Sequence, residues 1–271
     1  GPDNNFVDRL RGVSSTSTAA GPYLRSTTTA AEAGTNSTLG WDNTGFQITA
    51  GFSGADTAYW NFQRAPNFFD EVCTTADSSG NLSFTHNLGV APELVIMKAR
   101  SGAARSWYVY SAGVTHPNST YMQLNTNDAA ADFYPTYTYY SVSSTTFTTY
   151  TGGWAANNGT AVAYLFASCP GVSKVGSYTG NGTNQTINCG FAGGARFVLI
   201  KRTDNTGGWY VYDTARGMTT LVDPYLFLNS TAAEAATLGS VTTVTTGFKV
   251  DASILAAVNT NAATYIYLAI A

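Results

Sequence analysis

The sequence predicts an all-β protein made of tandem antiparallel β-sandwiches of jelly-roll or lectin-like type, about 100 residues each, with the first incomplete. One observation is a repeat: Trp-Tyr-Val-Tyr occurs at residues 107–110 and again, 102 residues later, at 209–212. Another is composition, because aromatic residues make up 13% of the chain and Thr, Ser, Asn and Gly are abundant. This mixture is typical of strands joined by polar turns. Turn clusters about every 8–12 residues give about seven strands per unit.

The repeat extends well beyond the tryptophan motif. Matches at so many places are hard to obtain from biased composition alone, so they indicate copies of one structural unit. Residues 22–24 and 29–32 match residues 224–226 and 231–234 at an offset of 202, and residues 160–167 match residues 264–271 at an offset of 104.

These matches divide the chain into a partial first unit at residues 1–66 and complete units at residues 67–171 and 172–271. The first unit lacks the counterpart of residues 175–210 in the chain as given. We expect this part to continue upstream in a longer protein or to be supplied by another molecule. A half-sandwich exposes unpaired strand edges that require a cover.

Strands are predicted in the same order in both complete units. Residues 93–98 and 196–201 are short apolar runs closed by lysine, which is typical of strands buried on both faces. Residues 231–236, rich in alanine, are the one segment predicted to form a helical turn. The third unit has further predicted strands at residues 209–212, 221–228, 241–250 and 264–271.

Charge and cysteine content exclude several classes of partner. Only 11% of residues are charged and the net charge is −3, so the chain lacks the basic surface that binds nucleic acid. No apolar run is long enough to cross a bilayer, so membrane insertion is not expected. The three cysteines have no C-x-x-C spacing, and we expect neither a disulfide, a metal site nor a cofactor.

Catalysis is not expected either. The chain has two histidines, His86 and His116, and His86 aligns with Cys189 of the next unit, so a structural role is favoured. No Gly-x-Ser-x-Gly motif occurs, and the sixteen carboxylates form no recurring pair of the kind that glycan hydrolysis needs. We therefore predict a non-enzymatic protein.

Two Asp–Arg pairs occupy equivalent places. Asp213 and Arg216 follow a predicted strand, and Asp8 and Arg11 take the same places in the first unit. A carboxylate and a guanidinium at this spacing favour an ion pair that fixes the following glycine turn. Ligand binding is the alternative.

Trp107 and Trp209 begin equivalent strands. Their recurrence at one fixed place favours core anchoring between sheets. A stacking platform for a sugar ring is the alternative, and it requires exposed indole faces.

The best candidate for a function of one unit alone is the aromatic tract at residues 133–140. Its tyrosines have no counterparts at residues 237–244 of the third unit, which carry Thr, Gly, Ser and Val. Tyrosine on a loop suits both protein interfaces and carbohydrate recognition, while packing against a neighbouring unit is the alternative. The predicted ligand-binding residues are Tyr134, Tyr137, Tyr139 and Tyr140.

A set of motifs resembles a known family. They are His-Asn-Leu-Gly-Val-Ala-Pro at residues 86–92, Trp-Tyr-Val-Tyr-Asp-x-Ala-Arg-Gly at 209–217 and Thr-Tyr-Ile-Tyr-Leu-Ala-Ile-Ala at 264–271. Together they resemble the uncharacterised repeat of tail-fibre and other virion proteins from tailed bacteriophages of marine and aquatic bacteria. The resemblance implies lectin-like β-sandwiches that serve virion structure or host attachment, and it brings no catalytic residues. The middle unit departs from it, with Ser111 in place of the aspartate.

The expected function is therefore that of a tail-fibre or appendage segment, located in the virion and extracellular when it acts. Its expected partners are other virion subunits, copies of itself and a host surface glycan. Two alternatives remain at this point. One is a self-assembling extracellular filament subunit completed by strand exchange with a neighbour, and the other is a carbohydrate-binding module.

Overall fold

The computed structural model describes residues 4–12, 21–34, 39–41, 46–48, 57–150, 152–218, 222–238, 240–252 and 256–271, and the strands in these ranges pair antiparallel. The predicted all-β antiparallel sandwich fold is confirmed. No helix among these residues has the length and apolar character needed to cross a membrane.

The first unit contributes two small sheets. Strands β1, β2 and β3 form one sheet in that order, and β4 and β5 form a hairpin. Their bounds are β1 (Asn5–Phe6), β2 (Pro22–Arg25), β3 (Ala33–Gly34), β4 (Leu39–Trp41) and β5 (Phe46–Ile48).

The second unit is a sandwich of a six-stranded and a three-stranded sheet. Its strands are β6 (Phe69–Thr75), β7 (Ser83–Thr85), β8 (Leu94–Ala99), β9 (Tyr108–Ser111), β10 (Thr120–Gln123), β11 (Ala131–Asp132), β12 (Tyr140–Val142), β13 (Thr146–Thr149) and β14 (Thr160–Phe166). The large sheet has the order β11-β10-β9-β8-β14-β6, and the small sheet has the order β12-β13-β7.

The third unit repeats this plan. Its strands are β15 (Ser173–Thr179), β16 (Gln185–Asn188), β17 (Phe197–Arg202), β18 (Trp209–Asp213), β19 (Val222–Phe227), β20 (Ala235–Leu238), β21 (Val241–Val244), β22 (Gly247–Val250) and β23 (Thr264–Ile270). The large sheet has the order β15-β23-β17-β18-β19-β20, and the small sheet has the order β16-β22-β21. Each strand thus takes the position of its counterpart in the second unit.

Each large sheet is covered on both faces. In β8, Val95 and Met97 face the small sheet of their own sandwich. Leu94 and Ile96 face a second core that all three units share. All six residues of β8 are buried for this reason, which confirms the prediction of a strand buried on both faces.

The shared core lies among the three units. Leu24 enters it from the first unit, Trp107 from the second and Trp209 from the third, and all three side chains are fully buried. Because apolar burial contributes roughly 25 cal/mol per Å², this core stabilises the association of the units as well as each fold.

The predicted helical turn at residues 231–236 is wrong. Residues 231–234 are irregular, and Ala235 begins β20, where it pairs with Tyr225 of β19. Helix propensity is a weak preference that strand pairing overrides. Within the described residues a short 3₁₀ turn at Ala256–Val258 provides the helical structure.

Candidate functional site

The two repeated tryptophans join neighbouring units. The indole Nε1 of Trp107 donates to the carbonyl oxygen of Arg25 in the first unit at 2.9 Å. The indole Nε1 of Trp209 donates to the carbonyl oxygen of Gln123 in the second unit at 3.0 Å. Both indoles are fully buried, so neither offers a face for stacking on a sugar. They anchor the core between units, rather than the core between the two sheets of one sandwich.

A third contact of the same kind closes a cycle. Asn4 aligns with the tryptophans, and its Nδ2 donates to the carbonyl oxygen of Phe227 in the third unit at 2.6 Å. Phe227 is the counterpart of the two acceptor residues in the other units. Nearby, the hydroxyl of Ser26 donates to the carbonyl oxygen of Leu228. Each unit therefore contacts both of the others.

The Asp213–Arg216 pair fixes a turn at the end of β18. Asp213 Oδ2 accepts from Arg216 Nε at 2.6 Å, and Oδ1 accepts from the Arg216 backbone amide at 2.9 Å. The same guanidinium also reaches Glu234 Oε2 at 2.7 Å and the carbonyl oxygen of Val211 at 3.0 Å. The turn ends at Gly217 with a φ of 117°, a value that suits glycine.

The first unit holds an almost identical pair. Arg11 Nε bonds to Asp8 Oδ2, the Arg11 amide donates to Oδ1 at 3.0 Å, and Arg11 NH1 reaches Glu32 Oε2 at 3.0 Å. The middle unit has Ser111 at the aspartate position. The pair is therefore a feature of two units.

Each aspartate of these pairs also accepts a bond from another unit. Tyr164 of the second unit donates its hydroxyl to Asp8 Oδ2 at 2.8 Å. Trp60 of the first unit donates its indole Nε1 to Asp213 Oδ2 at 3.0 Å. Arg216 lies over the Trp60 ring, 5.5 Å from its centroid. These carboxylates are committed to internal bonds, which favours the structural interpretation over ligand binding.

The loop between β11 and β12 presents an aromatic patch, which we define as Phe133, Tyr134, Tyr137 and Tyr139. Tyr134 is 63% exposed and Tyr137 is 48% exposed, while Tyr139 is half-buried. The rings of Tyr137 and Tyr139 lie 6.0 Å apart with planes 23° from parallel. Three of the four tyrosines predicted from sequence thus share one surface.

A buried aromatic layer supports the patch. The Phe133 ring stacks on Tyr121 with centroids 6.1 Å apart, and Tyr139 meets Trp154 edge-on at 5.7 Å. Trp154 is held in turn by a bond from its Nε1 to the carbonyl oxygen of Tyr150 at 2.7 Å. Rings packed in this way lose little conformational freedom when a ligand binds.

The prediction that Tyr140 binds a ligand is wrong. Its side chain is 1% exposed and packs against Phe147 and Tyr110 inside the second sandwich. Burial raises the pKa of its hydroxyl well above the ordinary value. As the first residue of β12 it points into the core, where no ligand reaches it.

His116 belongs to the edge of the patch, although the sequence assigned it no role. Its imidazole stacks on Tyr134 at 4.1 Å with planes 9° apart, and its Nδ1 lies 2.6 Å from Asp132 Oδ2. The hydrogen bond from His116 lowers the pKa of Asp132. Asp132 Oδ1 accepts from the Tyr134 amide at 3.0 Å, so the three residues hold the start of the loop.

A shallow cleft of about 390 Å³ lies beside strands β6, β7 and β13. One residue of its lining is adjacent to the patch in the backbone, since the Tyr150 amide donates to the carbonyl oxygen of Tyr139 at 2.7 Å. Hydrogen bonds from Asn81 lower the pKa of the Asp77 carboxylate in this cleft. Its polar lining residues are Thr75, Asp77, Asn81, Ser83, Thr148, Thr149 and Tyr150.

The other candidate residue types do not assemble into a site. Burial lowers the pKa of His86, whose Nδ1 accepts from the Leu88 amide at 3.4 Å. In the part of the chain that the structure describes, no three His, Cys, Asp or Glu side chains are grouped to hold a metal ion.

These features define a class: an all-β protein of associated β-sandwich units, one of which carries an exposed aromatic patch on a rigid support. The chain belongs to the family described as a domain of unknown function, DUF7483, whose match covers residues 65–271. That match contains both complete sandwiches and the patch. No curated protein and no solved structure matches the chain.

Proposed function

We propose that the protein is a non-enzymatic bacteriophage virion protein, a tail-fibre or appendage segment that attaches to a host surface glycan through the aromatic patch. The observation that carries this proposal is the exposure of Tyr134 and Tyr137 on a packed aromatic support. The motif resemblance described above supplies the virion setting.

The chemistry of the patch suits a sugar ligand. Aromatic faces pack against the apolar C–H faces of a sugar ring, and tyrosine hydroxyls provide directional hydrogen bonds. The neighbouring cleft offers hydroxyl and amide groups, among them the bonded pair Ser83 Oγ and Thr148 Oγ1, 3.0 Å apart. An extended glycan stacked on the patch finds polar groups in this cleft.

The proposed partners outside the ligand are other virion subunits. The protein acts outside the cell, at the tail or fibre of the particle.

The test compares binding of the full chain and a Tyr134→Ala/Tyr137→Ala variant to glycan arrays and to intact host cells. Loss of two exposed aromatic contacts costs roughly 1–2 kcal/mol each, so we expect binding to fall by about thirtyfold or more. Tyr59→Ala is the matched control, because Tyr59 is 40% exposed and lies in the first unit. Unchanged binding by the double variant would refute the proposed site.

The second candidate is a carbohydrate-binding module that serves an enzyme outside this chain. The hydroxyl and amide groups of the cleft beside the patch favour this carbohydrate-binding module, which would use the same surface as the virion protein. Mass spectrometry of purified virions separates the two. Detection of the chain in particles supports the virion protein, whereas detection only in culture fluid with a glycan-degrading enzyme supports the module.

A further inference from the structure

Three equivalent loops lie at the boundaries between units, and we call them junction loops. They are residues 26–32, 124–130 and 228–234, related by the same offsets as the rest of the repeat. The first two junction loops are each covered by the next unit, through the C-terminal end of a buried strand where a lysine lies.

The second junction loop shows the pattern. Lys201 at the end of β17 donates from Nζ to the carbonyl oxygens of Asp128 at 2.7 Å and Asn127 at 3.3 Å. The Gly207 amide also donates to the carbonyl oxygen of Asn127 at 2.8 Å. The Ala130 amide donates to the next unit, and its acceptor is the carbonyl oxygen of Thr203 at 2.9 Å.

The first junction loop is covered in the same way. Lys98 of β8 donates from Nζ to the carbonyl oxygen of Thr29 at 2.9 Å, and the Arg105 amide donates to the same oxygen at 3.0 Å. The Glu32 amide donates to the carbonyl oxygen of Arg100 at 2.9 Å. The Arg100 side chain adds a two-point ion pair to the Glu32 carboxylate, at 2.9 and 3.0 Å.

The start of the third junction loop contacts the first unit, since the carbonyl oxygens of Leu228 and Ser230 accept from Ser26 and Asn4. Its residues 231–234 have the same groups as the other loops, but no described residue covers them. Residues 231–234 are all exposed. Within the described ranges no donor reaches the Thr231 carbonyl, and no acceptor reaches the Glu234 amide. The Glu234 side chain is 44% exposed, against 16% for Glu32, and it pairs with Arg216 alone among the described residues. The carboxylate oxygens of Glu234 can therefore accept further hydrogen bonds, whereas those of Glu32 already accept from Arg100.

We propose that the third junction loop binds a β-strand of a partner protein that ends in Lys-x-Arg, as β8 ends in Lys98-Ala99-Arg100. The partner lysine would donate to the Thr231 carbonyl, and its arginine would pair with Glu234. The first covered loop defines both contacts, and the second repeats the lysine contact. Addition of an extended strand to exposed backbone groups is a general mode of peptide recognition.

A separate partner protein is a better occupant than a second copy of this chain. Lys98 and Lys201 of a folded copy are already buried and bonded within their own molecule. A second copy would have to unfold a large sheet to present either strand. An accessible strand of a partner protein would bind without this free-energy cost.

The test uses a fluorescein-labelled peptide with the sequence of residues 93–105, titrated with the full chain and followed by fluorescence polarisation. We expect saturable binding that weakens about tenfold or more when the peptide carries Lys98→Met and Arg100→Gln. On the protein, Glu234→Gln should weaken binding about threefold to tenfold. Asp128→Asn is the matched control, since this exposed carboxylate lies on a covered loop, and it should leave binding unchanged.

Several results would overturn the proposal. These are no binding at the highest soluble peptide concentration, equal binding of the substituted peptide, or indifference to Glu234→Gln. Light scattering provides a further arm, because a dimer of the chain that Glu234→Gln abolishes would assign the surface to a second copy. No glycan enters these measurements, so their outcome is independent of the proposed attachment function.

Discussion

Replacement of Lys201 by methionine tests how the units are joined. The Lys201 side chain is fully buried, and its Nζ lies 2.7 Å from the carbonyl oxygens of Asp128 and Gly207 and 3.3 Å from that of Asn127. Methionine keeps most of the apolar stem and removes the ammonium group. Three carbonyl oxygens then lose their charged donor.

Two opposing contributions set the size of the change in the free energy of unfolding. Hydrogen bonds to charged groups contribute about 1.5–3 kcal/mol each, so the three bonds contribute roughly 4.5–9 kcal/mol. Burial lowers the pKa of Lys201 from 10.5 to about 8. At 1.36 kcal/mol per pKa unit, keeping the group charged costs about 3 kcal/mol, which methionine relieves. The expected net loss in the free energy of unfolding is about 1–6 kcal/mol.

Guanidinium unfolding followed by fluorescence measures this loss, and hydrogen exchange locates it. The Ala130 amide, which donates across the same junction, should exchange faster in the variant. Lys98→Met should have an effect of similar size, because Lys98 occupies the equivalent place. Lys174→Met, at a half-buried position outside the junctions, should change stability by less than about 0.5 kcal/mol. A Lys201→Met protein as stable as this control would refute the reasoning.

Three further predictions concern buried groups in the first two units. Burial raises the pKa of Glu71 to about 7, so the native state holds a proton that the unfolded chain releases near pH 4.5. The free energy of unfolding should therefore fall by up to about 3 kcal/mol between pH 4.5 and 7. Urea unfolding at a series of pH values should show a weaker dependence of this free energy on pH for Glu71→Gln, and an equal dependence would contradict the prediction. Trp60→Phe removes the donor to Asp213 at the first-to-third junction, and thermal unfolding should show a loss of about 1–2 kcal/mol; an unchanged melting temperature would exclude a contribution from this bond. Tyr140→Ala should cost about 3–5 kcal/mol through the cavity it leaves, whereas Tyr137→Ala should stay within about 0.5 kcal/mol; similar losses from the two in denaturant unfolding would mean that both rings are structural.

The strands were predictable where burial is uniform. The apolar run that becomes β8 could be identified because both faces of its sheet are covered, and its closing Lys98 marks the point where the chain reaches a neighbouring unit. Residues 231–236 misled the prediction, since local alanine content says nothing about pairing of Ala235 with Tyr225.

The candidate site was only partly predictable. An alternation of exposed and buried tyrosines within one short tract depends on where β12 begins, and the sequence of aromatic residues does not mark that point. Tyr140 was therefore grouped with Tyr137 although their side chains lie in the core and at the surface. The contribution of His116 depends on a fold that brings it against Tyr134, and no local motif signals it.

The cycle of contacts among the three units was partly predictable from the repeats. Alignment of residues 6–12 with residues 211–217 already puts Asn4 at the tryptophan position. The alignment does not show which unit each of these residues contacts, for example that Asn4 of the first unit donates to Phe227 of the third. That direction follows from how whole sandwiches pack.

The contacts through Asn4, Trp107 and Trp209 also bear on how such a molecule changes over evolutionary time. In an assembly of three identical subunits, every substitution appears three times, so a new loop must be tolerated at three places at once. Here the equivalent positions are encoded separately in one gene. The middle copy can therefore carry aromatic residues that the third unit lacks at the equivalent place, and asymmetry is gained without loss of the contacts among the three units.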